Sequence, residues 1–547
     1  MTLIGMKIMN KKVISIILFF LVLLFVTLQL AAIRNPLFLM GDDSIYHISL
    51  INEIRGGQLD LGGYPPLMHM IIASIAILFN LNSITALTVT TVLIFSTLPL
   101  SYYVLVKHVT HDDRIGLLTG IATLLFSGVP ALIYHFGGYP LLWGLAALPW
   151  VLLLFLRLYD KPNIGRLGLS ALSLLILFFL HSPEYITCGL FIGAFLIQSF
   201  IGERNKFIRF LPWALLLSAG TVATLLALGL LNERLTPESI NTISKEIVDN
   251  QISFGAFLKA VFFEIFVNNV NLLFLVFLLI GMARTMRYPK KAEFFLPLIV
   301  GIFLLIIYDA TTTRLLSLFY AVTFPWSQET RLLFSLELPL CFLMVYGATF
   351  VWDKVRSKIA RGIEGMIPLS IIMFTLTLTP LIINQAQLFS LSDDFRGGEK
   401  DIAAFMWIRD KTDEAAIILN DAKFYNTTSY CKYRPADVGG WIPVYTKQNV
   451  VITYPEGNNC EEVKTLFEKL AASPSEDETR QLLTNIDYIY YGSKRVYDRK
   501  RSLDIYSLFD NKSLMLVYSS TPETGIIDGE VYLFKVIKKQ SDEMADF

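Results

Sequence analysis

The stretch "KKVISIILFFLVLLFVTLQLAAIRNPLFLMGDDSIYH", residues 11–47, passes from two lysines through a long apolar run to paired carboxylates beside a Tyr-His pair. Lys7, Lys11 and Lys12 precede the apolar residues 13–32. A secretory signal has an apolar core of only about 7–15 residues, so this run reads as an uncleaved anchor that crosses a bilayer. Asp42 and Asp43 then stand where the chain leaves the lipid. Charge at such a mouth is costly unless it is paired, hydrated or used.

Working outward, the chain has 547 residues, of which 54% are hydrophobic and 17% charged. A soluble domain carries about a quarter charged residues, so the excess of Phe, Leu and Ile points to lipid as the solvent. Formal net charge is zero. With no basic, aromatic-interleaved patch, a nucleic-acid partner is excluded. Apolar segments of membrane length recur at about 83–106, 115–134, 139–156, 167–181, 185–201, 210–231, 260–283, 294–309, 332–352 and 365–384, which with the anchor predicts eleven spans. "PLMHMIIASIAILFN", residues 66–80, is too short to cross and reads as a helix lying on the membrane surface.

Lys and Arg set the orientation. Alternate connections hold Lys107 and Arg114; Arg157, Lys161 and Arg166; Arg204, Lys206 and Arg209; Arg284, Arg287, Lys290 and Lys291; and Lys354, Arg356, Lys358 and Arg361. The opposite set is sparse in positive charge. The N-terminus is therefore expected in the cytoplasm and the C-terminal tail outside, in a multi-pass protein of the cell membrane. "GDDSIYH", "HFGGYP" (135–140), "HSPEY" (181–185) and "FPWSQETR" (324–331) all then emerge on the outer face. The expected fold is an α-helical polytopic membrane domain over residues 1–384, with surface helices in a first external loop at 33–82, followed by an extracytoplasmic α/β domain over 385–547.

In that outer domain, "EKDIAAFMWIRDKTDE" (399–414) has helical spacing, with Ala403, Phe405, Trp407 and Ile408 available for a core face. Residues 415–421, 449–454, 486–492, 514–520 and 530–537 read as strands, and 460–472 and 476–484 as helices. Cys188 and Cys341 fall within spans and read as packing residues. Cys431 and Cys460, both exported, permit a disulfide, the alternative being two buried thiols.

Asp43 and His47 lie one helical turn apart on one face. That pattern suits ligands of a divalent cation or a general base held by a partner, whereas a single Asp would suffice to cap a helix. "DSIYH", an Asp in the first external loop followed by an aromatic-His pair, resembles the first acidic motif of oligosaccharyltransferase catalytic subunits, members of the GT-C class of membrane glycosyltransferases. "GGYPPLMHMIIASIAIL" (62–78) is similar to the Pro-Pro-Leu surface helix of other GT-C branches. The resemblance implies a sugar transferase of the cell envelope, acting in protein glycosylation or a related pathway. Its donor would be a polyprenyl-phosphate-linked sugar held among membrane lipids, and its acceptor a glycan, lipid or protein.

By the same resemblance, Asp43 with Asp42 supplies the catalytic carboxylate. If a Mg or Mn ion is used, Asp43, His47, Glu184 and His181 would hold it. Arg331 and Arg314 are the external cations suited to the donor phosphate, interfacial anchoring being the alternative. His135, Tyr139, Trp326, Glu329 and Tyr64 are expected to line the substrate pocket, with Trp143 beside Tyr139 as a stacking surface, a helix-breaking turn between two spans being the alternative for the Gly-Gly-Tyr stretch. Two departures stand out: "HFGGYP" has no carboxylate where oligosaccharyltransferases carry a second acidic motif, and "GGWIPVY" (439–445) lacks the Asp of their Trp-Trp-Asp signature. Two other readings compete: a lipid-linked glycan transporter or flippase, for which Glu264 and Asp309 would be the mid-span charges, and a non-catalytic envelope assembly protein of GT-C ancestry. No phosphate loop, Gly-x-Ser-x-Gly elbow or His-Glu-x-x-His motif is present.

Overall fold

The structure is a computed structural model that describes residues 11–32, 43–58, 65–123, 133, 137–227, 272–287, 298–302, 335–359, 397–426, 431–452, 460–472, 475–495, 501–521, 526–527 and 529–538. Asp42, Tyr64, His135, Glu264, Asp309, Arg314, Trp326, Glu329, Arg331, the side chain of Cys431 and the 365–384 segment lie outside these residues. The described chain is mostly helical, with a sheet domain at its C-terminal end. Five helices among the described residues are long and apolar enough to cross a membrane, where eleven spans were expected.

Helix α1 (Lys11–Ala32) shows why these segments pack as they do. Ile14, Leu18, Leu21 and Phe25, spaced by three or four residues, are buried, while Ile16, Phe19, Phe20 and Leu23 on the other side are exposed. One stripe faces the bundle and the other suits lipid. Helices α2 (Asp43–Arg55) and α3 (Leu67–Leu78) follow, and α3, at 12 residues, is too short to span, as its sequence predicts. Helices α4 (Ser83–Phe95) and α5 (Leu98–Thr110) form one apolar run of 28 residues, interrupted at Ser96–Thr97 just before Pro99. Helix α6 (Asp113–Ala122) starts at Asp112, whose side chain accepts from the amides of Arg114 and Ile115. It packs tightly on α5 because Gly116 and Gly120 present no side chain: a Cβ at either would lie 2.8 Å from a carbonyl oxygen, of Tyr103 or Pro99.

Helices α7 (Tyr139–Asp160), α8 (Ile164–Leu180), α9 (Ser182–Gly202) and α10 (Arg204–Ala227) continue the bundle, joined by turns of a few residues or fewer. Helices α11 (Leu272–Met286) and α12 (Glu337–Ile359) cross at two glycines. A Cβ on Gly347 would fall 1.9 Å from the Phe277 carbonyl oxygen, and one on Gly281 would fall 1.8 Å from that of Leu343.

The basic connections meet at one end of this bundle. Arg114 holds Asp353 with both guanidinium nitrogens, at 2.9 and 3.3 Å. Asp160 receives Lys206 at 3.0 Å and His108 at 3.1 Å. Arg166 donates to the carbonyls of Arg157 and Lys161. Residues 43–44, 137–139 and 181–184 gather at the other ends of their helices.

The C-terminal domain is a five-stranded sheet in the order β4-β1-β5-β7-β6. β1 (Ile417–Asn420) lies parallel to both β4 (Asn449–Val450) and β5 (Tyr488–Tyr491), and β7 (Tyr532–Val536) is antiparallel to β5 and β6 (Leu514–Ser519). All five strands fall where residue composition places them. The hairpin of β2 (Ala422–Asn426) and β3 (Cys431–Pro435) was not anticipated. Helix α13 (Glu399–Lys411) buries Ala404, Phe405 and Ile408. Ala403 points to solvent instead of the core, a shift of one position in the expected face, and Trp407 is half-buried against Tyr518. Cys460, at the start of the Cys460–Ala471 helix, is disulfide-bonded. Cys188 and Cys341 are buried and outside any disulfide, in keeping with packing roles.

The α11–α12 crossing yields a direct test. Gly347→Leu should force the helices apart and cost about 1–3 kcal/mol or more, read as a lower melting temperature in detergent. Gly168→Leu, at a glycine with open space around its Cβ, should leave that temperature unchanged.

Candidate functional site

Helix α2 carries Asp43 in its first turn and His47 one turn on, as the motif requires. Asp43 is half-buried, whereas His47 is only 2% exposed. The Nδ1 of His47 lies 3.0 Å from Nε2 of His69 on α3, a hydrogen bond that ties the acidic motif to the short helix. Burial lowers the His69 pKa to about 4, against a backbone hydrogen bond at Pro65 that raises it. His69 is thus neutral across the ordinary pH range, and this pair holds without two adjacent positive charges.

The second expected loop closes on the same helix. Gly137 adopts φ +84°, a conformation open to glycine at little cost. A Cβ there would meet the Ser44 amide nitrogen at 2.6 Å and the Asp43 Cβ at 3.0 Å. Two residues on, the Tyr139 hydroxyl hydrogen-bonds with Ser44, and its ring stands edge-on to His47 with centroids 6.3 Å apart. The Tyr139 ring is 1% exposed and Trp143 is 3% exposed, its indole N–H donating to Thr91 Oγ1 at 3.0 Å. Both rings therefore brace α7 against its neighbours and leave no open face for a sugar to stack on.

The third loop supplies His181 and Glu184, hydrogen-bonded to each other and buried at 2% and 1% exposure. They pack on Gly144 of α7, where a Cβ would lie 2.9 Å from the Glu184 carboxylate. Gly144 is five residues from Tyr139, about 7.5 Å along the helix. A buried carboxylate needs such a partner, and the imidazole provides it. Among the described residues, no three His, Cys, Asp or Glu side chains come close enough to hold a metal ion. The expected set of Asp43, His47, Glu184 and His181 is divided into a His47–His69 pair and a His181–Glu184 pair. The described donors thus do not fit a metal site.

Across from the bundle, the sheet domain presents "GGWIPVY" to α2. A Cβ on Gly440 would lie 3.2 Å from Ile45 Cδ1, and the Ile442–Tyr445 helix touches α2. Trp441, 1% exposed, belongs to a core shared with the membrane helices. Beneath this turn lies a buried polar cluster that sequence reading missed. Asp437 accepts from the amides of Gly439 and Gly492, each at 2.8 Å. Arg501 stands 3.8 Å from Asp437 and 3.9 Å above the Tyr491 ring, and donates to the Gly492 carbonyl. Asp421 accepts from the amides of Ala422, Ser502 and Leu503. Asp401 accepts from Gly398, Tyr490 and Ser493. The legible signal was an Asp two residues before a Gly-Gly pair, which favours an Asx turn.

Burial raises Asp437 to about 7, against the Arg501 charge, and raises Asp421 to about 6. Both folded values exceed the unfolded one, so the folded domain binds more protons between about pH 4 and 7 and loses stability as pH rises through that window. The sheet-domain transition should accordingly melt higher at about pH 5.5 than at about pH 8. Asp437→Asn should flatten that slope in thermal denaturation of the full chain.

The fold is similar to that of the Archaeoglobus fulgidus oligosaccharyltransferase in its apo form, at 12% identity and TM-score 0.55, covering 87% of this chain and 69% of that one. The same enzyme in complex with Zn and sulfate gives 14% identity and TM-score 0.54, covering 87% and 67%. Arabinofuranosyltransferase AftD from Mycobacteria gives 13% identity and TM-score 0.57, covering 97% of this chain but only 40% of AftD. The likeness read from "DSIYH" is therefore met at the level of fold. No curated protein matches the sequence. A family model matches residues 13–521, and the chain belongs to that family of unknown function, DUF6541.

Proposed function

We propose that this chain is a membrane glycosyltransferase that moves a sugar from a polyprenyl-phosphate donor to an acceptor at the outer face of the membrane. The observation that carries this reading is the position of Asp43. It opens a helix that is seated on the second external loop through Gly137 and capped by the outer domain through Gly440. A carboxylate at such a junction can meet a lipid-borne donor from one side and a water-borne acceptor from the other. The fold shared with an oligosaccharyltransferase and an arabinofuranosyltransferase supports the same class.

In this reading Asp43 takes the proton of an acceptor hydroxyl. The acceptor oxygen attacks the anomeric carbon, whose bond to phosphate breaks with inversion, and the lipid phosphate leaves with the bonding pair. Arg314 and Arg331, which lie outside the described residues, are the cations proposed to neutralise that phosphate. The His47–His69 pair and Tyr139 hold α2 in place, and the His181–Glu184 pair holds the third loop on α7. The proposed topology has eleven spans, the N-terminus in the cytoplasm and the sheet domain outside. Cys431 is the proposed partner of Cys460.

Purified protein incubated with a panel of polyprenyl-phosphate sugars should show transfer. Asp43→Asn should reduce it by roughly 10²–10⁴-fold at unchanged protein level, the usual loss for a missing general base. Gly137→Ala should also impair transfer by displacing the first turn of α2. Transfer at the wild-type rate by Asp43→Asn would refute the catalytic assignment, and transport of the lipid without transfer would favour the flippase reading.

A further inference from the structure

The basic end of the bundle holds a cavity of about 370 Å³ between the C-terminal turns of α7 and the start of α8. His108, Arg157, Lys161 and Arg166 line it, with Leu154 and Leu169 as its apolar walls. The cavity also contains one carboxylate, Asp160, already bound to Lys206 and His108. Arg166 uses one guanidinium nitrogen on the carbonyls of Arg157 and Lys161, which shapes the α7–α8 turn. Among the described residues, no ion pair or hydrogen bond engages the charged groups of Arg157 and Lys161.

Two cations outside any ion pair therefore stand, with His108 and Arg166, around a hollow whose apolar walls are leucines and whose one carboxylate, Asp160, is engaged by Lys206 and His108. The apolar surface continues up α8, where Ile164, Leu169 and Leu172 are more than half exposed, at 77%, 55% and 54%. A soluble anion would satisfy the rim and leave that surface bare. A ligand with a phosphate and hydrocarbon chains matches both.

We propose that this cavity binds the phosphate of an anionic membrane phospholipid, whose acyl chains lie along the outer face of α8. The site is distinct from the candidate active site: Arg157 is eighteen residues from Tyr139 on the same helix, about 27 Å away. It does not depend on the glycosyltransferase reading.

Native mass spectrometry of the full-length protein in neutral detergent tests the proposal, with phosphatidylglycerol, phosphatidylcholine and inorganic phosphate as separate probes. Phosphatidylglycerol should be retained in preference to phosphatidylcholine, and millimolar inorganic phosphate should not displace it. The double variant Arg157→Gln, Lys161→Gln should bind phosphatidylglycerol roughly 10- to 30-fold more weakly, as expected for two lost headgroup charges. Arg157→Lys with Lys161→Arg, which keeps both charges, should bind within a few-fold of wild type. Equal retention of the two lipids, or wild-type binding by the double Gln variant, would overturn the proposal. Displacement by inorganic phosphate alone would overturn the lipid assignment in favour of a soluble anion.

Discussion

The contact between Gly137 and the first turn of α2 is the constraint on which the rest depends. A side chain at 137 would collide with the Ser44 amide at 2.6 Å, so only glycine lets the second loop close over the acidic motif. Once that loop is seated, Tyr139 reaches Ser44, its ring meets the edge of His47, and His47 meets His69. The same helix then offers Ile45 to Gly440 of the sheet domain. One short helix, α2, is thereby gripped by the membrane bundle, by α3 and by the sheet domain.

Polar groups in such a setting survive only in pairs or networks, and each is resolved differently. His47 and His69 are joined by a hydrogen bond, made possible by a neutral His69. His181 and Glu184 pair within one helical turn in a pocket left open by Gly144. In the sheet domain, Asp437 and Asp421 draw on backbone amides and on Arg501, and their raised pKa values record how much burial still opposes their charge. Buried networks of this kind specify one arrangement because any other leaves a polar group unsatisfied.

Much of this was legible in the sequence because membranes and sheets write simple patterns. Apolar length marked the spans around α7, α9 and α12, and β-branched and aromatic runs marked all five strands of the main sheet. The Asp43–His47 spacing foretold a shared helical face, and the convergence of the "GDDSIYH" and "HFGGYP" loops followed from the distribution of Lys and Arg. What stayed hidden depends on tertiary pairing. Nothing local in "PLMHM" says that His69 will meet His47. The Arg501–Asp437 contact joins residues in separate connections. Tyr139 and Trp143 looked like stacking surfaces because aromatic type reveals nothing about which neighbour covers a ring.

The central claim is geographic: α2 and the outer domain share one side of the membrane, and the basic turns occupy the other. Single cysteines at Gln58, just after α2, at Lys447, beside the Ile442–Tyr445 helix, and at Glu203, in the α9–α10 turn, can be probed in intact cells with a membrane-impermeant maleimide. All three positions are exposed. Gln58→Cys and Lys447→Cys should both be labelled from outside, and Glu203→Cys only after the membrane is opened. Labelling of residues 58 and 447 from opposite faces would contradict the shared site at its foundation.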